Sequence, residues 1–124
     1  MTVLIDSDIL IKVFRAKDAG ILGRWVDLGD SEHVVLCSPV SVAELWHGAR
    51  PSEHETLANL FRALTCVPID AGTGRQAGDY LRQYFKSHDV ELGDALIASS
   101  ALLHGAALWT RNRKHYPMKG LKFY

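Results

Sequence analysis

Three acidic side chains, Asp6, Glu44 and Asp94, stand out for what they could do together, with Asn112 as a fourth, neutral member of the set. Each lies in or beside an apolar run. Asp6 ends Val3-Leu4-Ile5, and Glu44 interrupts Val42-Ala43-Glu44-Leu45-Trp46. Asp94 precedes Ala95-Leu96-Ile97-Ala98, and Asn112 closes Thr110-Arg111-Asn112. Carboxylates with no thiolate or imidazole beside them are oxygen donors, which suit hard cations such as Mg²⁺ or Mn²⁺. A cation so held lowers the pKa of its water, orients that water toward a phosphodiester and offsets charge on the leaving oxygen. Without the cation three converging carboxylates repel, so at least one is expected to stay partly protonated. No covalent nucleophile is needed.

Every one of these residues also has a plainer reading. Asp6-Ser7-Asp8 is helix-start chemistry, so both aspartates could simply cap a helix. Glu44 fits the solvent side of an amphipathic helix, and Asn112 fits a turn. Asp94 near a helix amino terminus is stabilised by backbone N–H groups. It also shares a helix face with Ile97, Ala98, Ala101 and Leu102, which places it at the head of a stripe that packs inward. A half-buried carboxylate calls for a partner.

The elements that must position these residues alternate along the chain. Val3-Leu4-Ile5 reads as a strand buried on both faces of a parallel sheet. A first helix carries Ile9, Leu10, Ile11, Val13 and Phe14 on its apolar side. Residues 18–29 form a second, with Ile21, Leu22, Trp25, Val26 and Leu28 on one side and Gly29 as its stop. Strand 34–37 leads through Ser38-Pro39 into a helix ending near Gly48, and residues 55–64 repeat the helical spacing. Residues 66–69 read as a weak strand that Pro68 assigns to an edge. Helices 71–85, with Ala77, Leu81, Tyr84 and Phe85 inward, and 93–104 follow. Residues 107–110 make a fourth strand and 121–123 a fifth. Strands separated by helices imply a mostly parallel sheet of four to five strands between helices, a three-layer α/β/α domain. A carboxylate at the carboxyl end of a central first strand sits where open α/β sheets place ligands. If strand four lies beside strand one, Asn112 and Asp6 face the same crevice.

Composition narrows the classes. With 124 residues, 48% hydrophobic and 23% charged, the chain has the size and balance of one globular domain. No apolar run reaches membrane-spanning length and no signal-peptide pattern opens the chain, so a cytoplasmic protein is expected. A net charge of zero speaks against a protein that coats nucleic acid. A local basic stretch remains: Arg111, Arg113, Lys114, Lys119 and Lys122, interleaved with His115, Tyr116, Phe123 and Tyr124 and free of acidic residues. Such a stretch can hold phosphates and stack on bases, or it is a solvated terminal strand. Cys37 and Cys66 are expected to be buried free thiols. His33, His47, His54, His88, His104 and His115 show no paired metal spacing. Trp25, Trp46 and Trp109 fit core positions, while Arg15 and Lys17 either flank the crevice or face solvent.

Taken in order and spacing, Ile5-Asp6-Ser7, Val42-Ala43-Glu44-Leu45, Gly93-Asp94-Ala95-Leu96-Ile97-Ala98 and Thr110-Arg111-Asn112 resemble the four signatures of the PIN domain. The nearest look is that of the small VapC-type toxins of bacterial toxin–antitoxin pairs. The resemblance spans the chain and implies one PIN domain over residues 1–124. It implies a metal-dependent endoribonuclease whose Mg²⁺ (or Mn²⁺ in its place) is held by Asp6, Glu44 and Asp94, with Ser7 and Thr110 supporting the site. Asn112 falls at the fourth acidic position of many members and is neutral here, which weakens the case for a tightly held second metal. The implied substrate is single-stranded or looped RNA, cut to leave a 5′-phosphate. The implied partners are a VapB-like antitoxin that blocks the site and a second copy of the chain. Two rivals remain at this point. One is a PIN-like domain that binds RNA or protein without cutting. The other is a haloacid-dehalogenase-type phosphatase, suggested by Asp6-Ser7-Asp8 after a strand but opposed by Ile9-Leu10, which runs straight into an apolar helix.

Overall fold

The computed structural model describes residues 1–124. Four parallel strands, β1 (Thr2–Ile5), β2 (Val34–Cys37), β3 (Thr65–Cys66) and β4 (Ala107–Trp109), lie in the order β3-β2-β1-β4. The helices are α1 (Ser7–Arg15), α2 (Ala19–Gly29), α3 (Pro39–Gly48), α4 (His54–Arg62), α5 (Ala71–His88) and α6 (Leu92–Leu103).

Alternation along β1 explains the three layers. Leu4 points to one face, where it packs with Leu36, Leu108 and the inner sides of α5 and α6. Val3 and Ile5 point to the other, where they meet Cys37, Trp109 and the apolar residues Ile9, Leu10, Ile21, Leu28 and Leu57 of α1, α2 and α4. The register pairs Leu4 with both Leu36 and Leu108, so β1 is central and covered on both sides. This is why its short run carries no polar residue. The chain leaves β1 toward β2 and β3, then crosses back to β4 on the opposite side of β1. That reversal opens a crevice at the carboxyl ends of β1 and β4.

Helix starts follow local chemistry. Asp18, Ser38 and Asp70 cap α2, α3 and α5 by accepting backbone N–H groups, and Pro39 takes the first-turn position that needs no donor. Gly105, at φ +61°, turns the chain out of α6 toward β4.

Several expectations are corrected. The run 121–123 makes only an isolated parallel bridge, Leu108 to Phe123, because the segment touches β4 at one point and no further strand continues the pairing. β3 is two residues at the expected sheet edge, ending before Val67-Pro68, since proline has no N–H for a ladder. Helix α5 runs on to His88. Phe85 (59% exposed), Val26 (57%), Trp46 (44%) and Ile11 face outward, although helical spacing assigned them to apolar sides. Trp46 stacks on His54 instead, with ring centres 4.5 Å apart. Cys37 is buried, its thiol pushed up to about 12 by burial and by Cys66, while its register partner Cys66 is exposed. No helix is long and apolar enough to cross a membrane.

Candidate active site

The crevice between β1 and β4 is a pocket of about 170 Å³. Asp6, Ser7, Asp8, Glu44, Asp94, Asn112 and Tyr116 line it, with Glu91, Gly93, Ile97 and His115. Residues from positions 6, 44, 94 and 112 are therefore brought together by four different segments: the end of β1, the middle of α3, the first turn of α6 and the loop after β4. Only the tertiary fold makes them neighbours.

Asp6 is 7% exposed and stands at the cap position of α1. Its backbone N–H extends the sheet by donating to the Trp109 carbonyl (2.9 Å). As a cap its side chain accepts only from the Ser7 N–H, at Oδ1 (2.8 Å). Its other oxygen turns inward, where Thr110 Oγ1 and Tyr116 Oη each donate to Oδ2 at 2.8 Å. Burial first, then the neighbouring Asp8 charge, push its carboxyl from 3.8 up to about 6, and those three donors hold it back from rising further.

Asp8 is raised too, chiefly by burial. Its Oδ2 accepts from the Arg111 N–H (3.0 Å) and lies 3.3 Å from Thr110 Oγ1. Its Oδ1 is buried and has no hydrogen-bond partner. Glu44 is exposed at the rim and accepts from Ser7 Oγ (2.9 Å). Because Ser7 gives its one hydrogen to that carboxylate, the 2.8 Å contact with the buried Ser41 is donated by Ser41. Asp94 closes a capping box by accepting from the Glu91 N–H (3.2 Å), and His115 Nδ1 lies 3.6 Å from it. So Asp94 is a helix cap and a pocket wall at once. The Asn112 N–H donates to Thr110 Oγ1 (3.0 Å).

The donor set is oxygen-rich and anionic, and Asp8 Oδ1 is an orphaned buried acceptor beside it, so a divalent cation fits the chemistry. No three His, Cys, Asp or Glu side chains converge closely enough to enclose an ion by themselves. That suits a cation that takes one or two carboxylates and completes its shell with water and substrate phosphate, as Mg²⁺ does.

The sequence reading missed Tyr116 and the pocket place of Asp8. Asp8 had a signal, since residues two apart across the first turn of a helix can both face the sheet end. Tyr116 had almost none, because an aromatic residue in a basic tail reads as surface chemistry. The tail's rings are in fact engaged: Tyr116 is buried, Tyr124 packs edge-on against Trp109 under Arg24, and Phe123 lies beneath Arg113. Arg111, Arg113, Lys114, Lys119 and Lys122 remain exposed. Arg15 does not flank the crevice, being paired with Glu53.

The family model described as PIN domain matches residues 3–121. The chain belongs to the PIN domain family. This PIN domain is 35% identical to "Ribonuclease VapC10" of Mycobacterium tuberculosis over 117 residues, covering 94% of this chain and 86% of that one. It is 30% identical to "Ribonuclease VapC19" of the same organism over 118 residues, covering 93% and 92%. Among solved structures it is similar to VapBC2 of Rickettsia felis bound to a DNA fragment from its promoter, with a TM-score of 0.83 at 20% identity, covering 100% of this chain and 98% of that one. That likeness carries the fold.

Proposed function

We propose that this PIN domain is a divalent-metal-dependent endoribonuclease, the toxin of a toxin–antitoxin pair, acting as one domain over residues 1–124. It hydrolyses RNA phosphodiester bonds in the crevice at the ends of β1 and β4. The observation that carries the reading is the meeting of Asp6, Asp8, Glu44 and Asp94 in one small polar pocket, with burial raising the Asp6 carboxyl to about 6. Kinship at 35% identity with a protein named a ribonuclease supports the substrate class.

Asp6, Glu44 and Asp94 are the residues that would hold the cation, one or two of them directly and the rest through its water shell, Mg²⁺ with Mn²⁺ able to replace it. The chemistry such a cation supplies is Lewis acidity, which makes water a better nucleophile at neutral pH and offsets charge on the phosphate. Asp6 gives a fixed anionic oxygen at the base of the pocket. Glu44, exposed at the rim and accepting from Ser7 Oγ, gives a second one that can accept a proton from the attacking water. Asn112 adds a neutral carboxamide, which donates to phosphate or sugar oxygens without adding repulsion. The exposed cations of residues 111–122 steer the RNA backbone toward the acidic pocket, while the buried Tyr116 ring takes no part in base stacking. Outside the site, the partners are a VapB-like antitoxin and a second copy of the chain, in the cytoplasm. The solved VapBC complexes of the same fold support the antitoxin partner.

The test is cleavage of total cellular RNA by purified, partner-free protein with Mg²⁺, with Mn²⁺ and with chelator, beside the Asp94→Asn variant. Discrete fragments that need both metal and Asp94 are expected. RNA binding without metal-dependent cutting would overturn the reading in favour of an inert binding domain.

A further inference from the structure

We propose that Tyr116 is a positioning residue for Asp6: with Thr110 it closes one carboxylate oxygen, so that a cation is taken only through the other. This rests on Asp6 being a cation ligand.

An ionised carboxylate offers about four lone-pair sites, two on each oxygen. Oδ2 of Asp6 accepts from both Tyr116 Oη and Thr110 Oγ1, each at 2.8 Å, and is therefore full. Thr110 has a single hydrogen, and the 2.8 Å contact claims it over the 3.3 Å approach to Asp8. Oδ1 accepts only from the Ser7 N–H, at 2.8 Å, and keeps one site. The carboxylate is thus locked in rotation, with a single free lone pair.

The surroundings of Tyr116 show that the hydroxyl, rather than the ring, is the unusual feature. The ring is 3% exposed in the core with Leu4, Val90, Ile97, Ala101 and Met118, a setting that phenylalanine would fill equally well. A phenol in such a setting needs a polar partner, and here that partner is the acid at the end of the central strand. The short 3₁₀ turn Arg113–His115 brings residue 116 back under the pocket to reach it. An ordinary phenol keeps its proton well above neutral pH, so Oη remains a donor to Asp6. Hydrogen bonds that fix a ligand's orientation typically govern metal affinity by about 10- to 100-fold.

The test is calorimetric titration of the purified chain with Mn²⁺ at pH 7.5, for wild type, Tyr116→Phe, Thr110→Val and Tyr80→Phe. All are read at a temperature where circular dichroism shows each folded. Tyr80 is another core phenol, outside the pocket lining. Tyr116→Phe and Thr110→Val are expected to weaken Mn²⁺ about tenfold or more, while Tyr80→Phe leaves it unchanged. Mn²⁺ affinity unchanged in Tyr116→Phe would overturn the proposal alone. Equal weakening in Tyr80→Phe would also overturn it, by making the effect one of core packing. Wild-type protein that takes up no Mn²⁺ would overturn both this proposal and the functional reading on which it rests.

Discussion

The two halves of the acidic pocket are built differently. At its base Asp6 and Asp8 are largely enclosed, held by Tyr116, Thr110 and backbone N–H groups, and raised by burial. At its rim Glu44 is exposed on α3, and Asp94 is partly exposed in the first turn of α6. A buried carboxylate is costly to ionise but fixed in place; an exposed one keeps part of its hydration. On the proposed reading, a cation would relieve the unfavourable energy of ionising the base, while the rim would stay open to substrate.

The sharpest break of that comparison is charge removal at each level. Asp6→Asn is expected to reduce RNA cleavage to background while raising metal-free stability at pH 7.5. Its carbonyl can still accept from Tyr116 and Thr110, but its amide then faces the Ser7 N–H, so the gain is about 1–2 kcal/mol in denaturant melts. Glu44→Gln is expected to impair cleavage equally with stability unchanged within about 0.5 kcal/mol, as for exposed positions generally. Equal stability effects in the two variants would erase the distinction between base and rim.

The pH dependence sharpens it further. Asp6 is raised from 3.8 to about 6 on folding, so between those values the native state binds more protons than the unfolded one. Its contribution is fully present below pH 4 and is lost as pH rises through about 6. Metal-free protein should thus lose about 2 kcal/mol between pH 4.5 and 7.5 from this group, and Asp8 acts in the same direction. Half-buried Glu53 and exposed Asp70, both lowered chiefly by backbone donors, act the opposite way, at lower pH. Urea melts across this range, with and without Mn²⁺, check the slope. Saturating Mn²⁺ at 100 times its Kd should restore about 2.7 kcal/mol at pH 7.5, and Asp6→Asn should flatten the metal-free slope.

The smallest expected effect lies outside the pocket. Lys114→Ala or Lys119→Ala should weaken RNA binding modestly and lower the salt slope by about 0.7 each for single-stranded RNA, with cleavage of bound RNA unchanged. Filter binding at several salt concentrations reads it, and an unaltered slope would remove the basic stretch from substrate contact.

Much of this was legible in the residue order. The β-branched run before Asp6, the helical stripe behind Asp94 and the Ser38-Pro39 cap are local signals, written within a turn or a strand of the residue concerned. What resisted reading was sidedness. Val26, Trp46 and Phe85 obey helical spacing, yet which side of an amphipathic stripe the core covers depends on where neighbouring helices lie. The fifth strand failed for a related reason: residues 121–123 have strand composition, but pairing needs a partner edge along their whole length, and β4 meets them at one bridge.

By itself, the sequence determined the alternation of strands and helices, the buried centre at β1 and the identity of the oxygen donors, because hydrophobic period, capping chemistry and side-chain type are properties of short stretches. Only the tertiary structure decided that Asp8 joins the pocket and that a tyrosine 110 positions away donates to Asp6. A hydrogen bond across that separation exists only after β4 has docked beside β1, and no local pattern carries the information for such a contact.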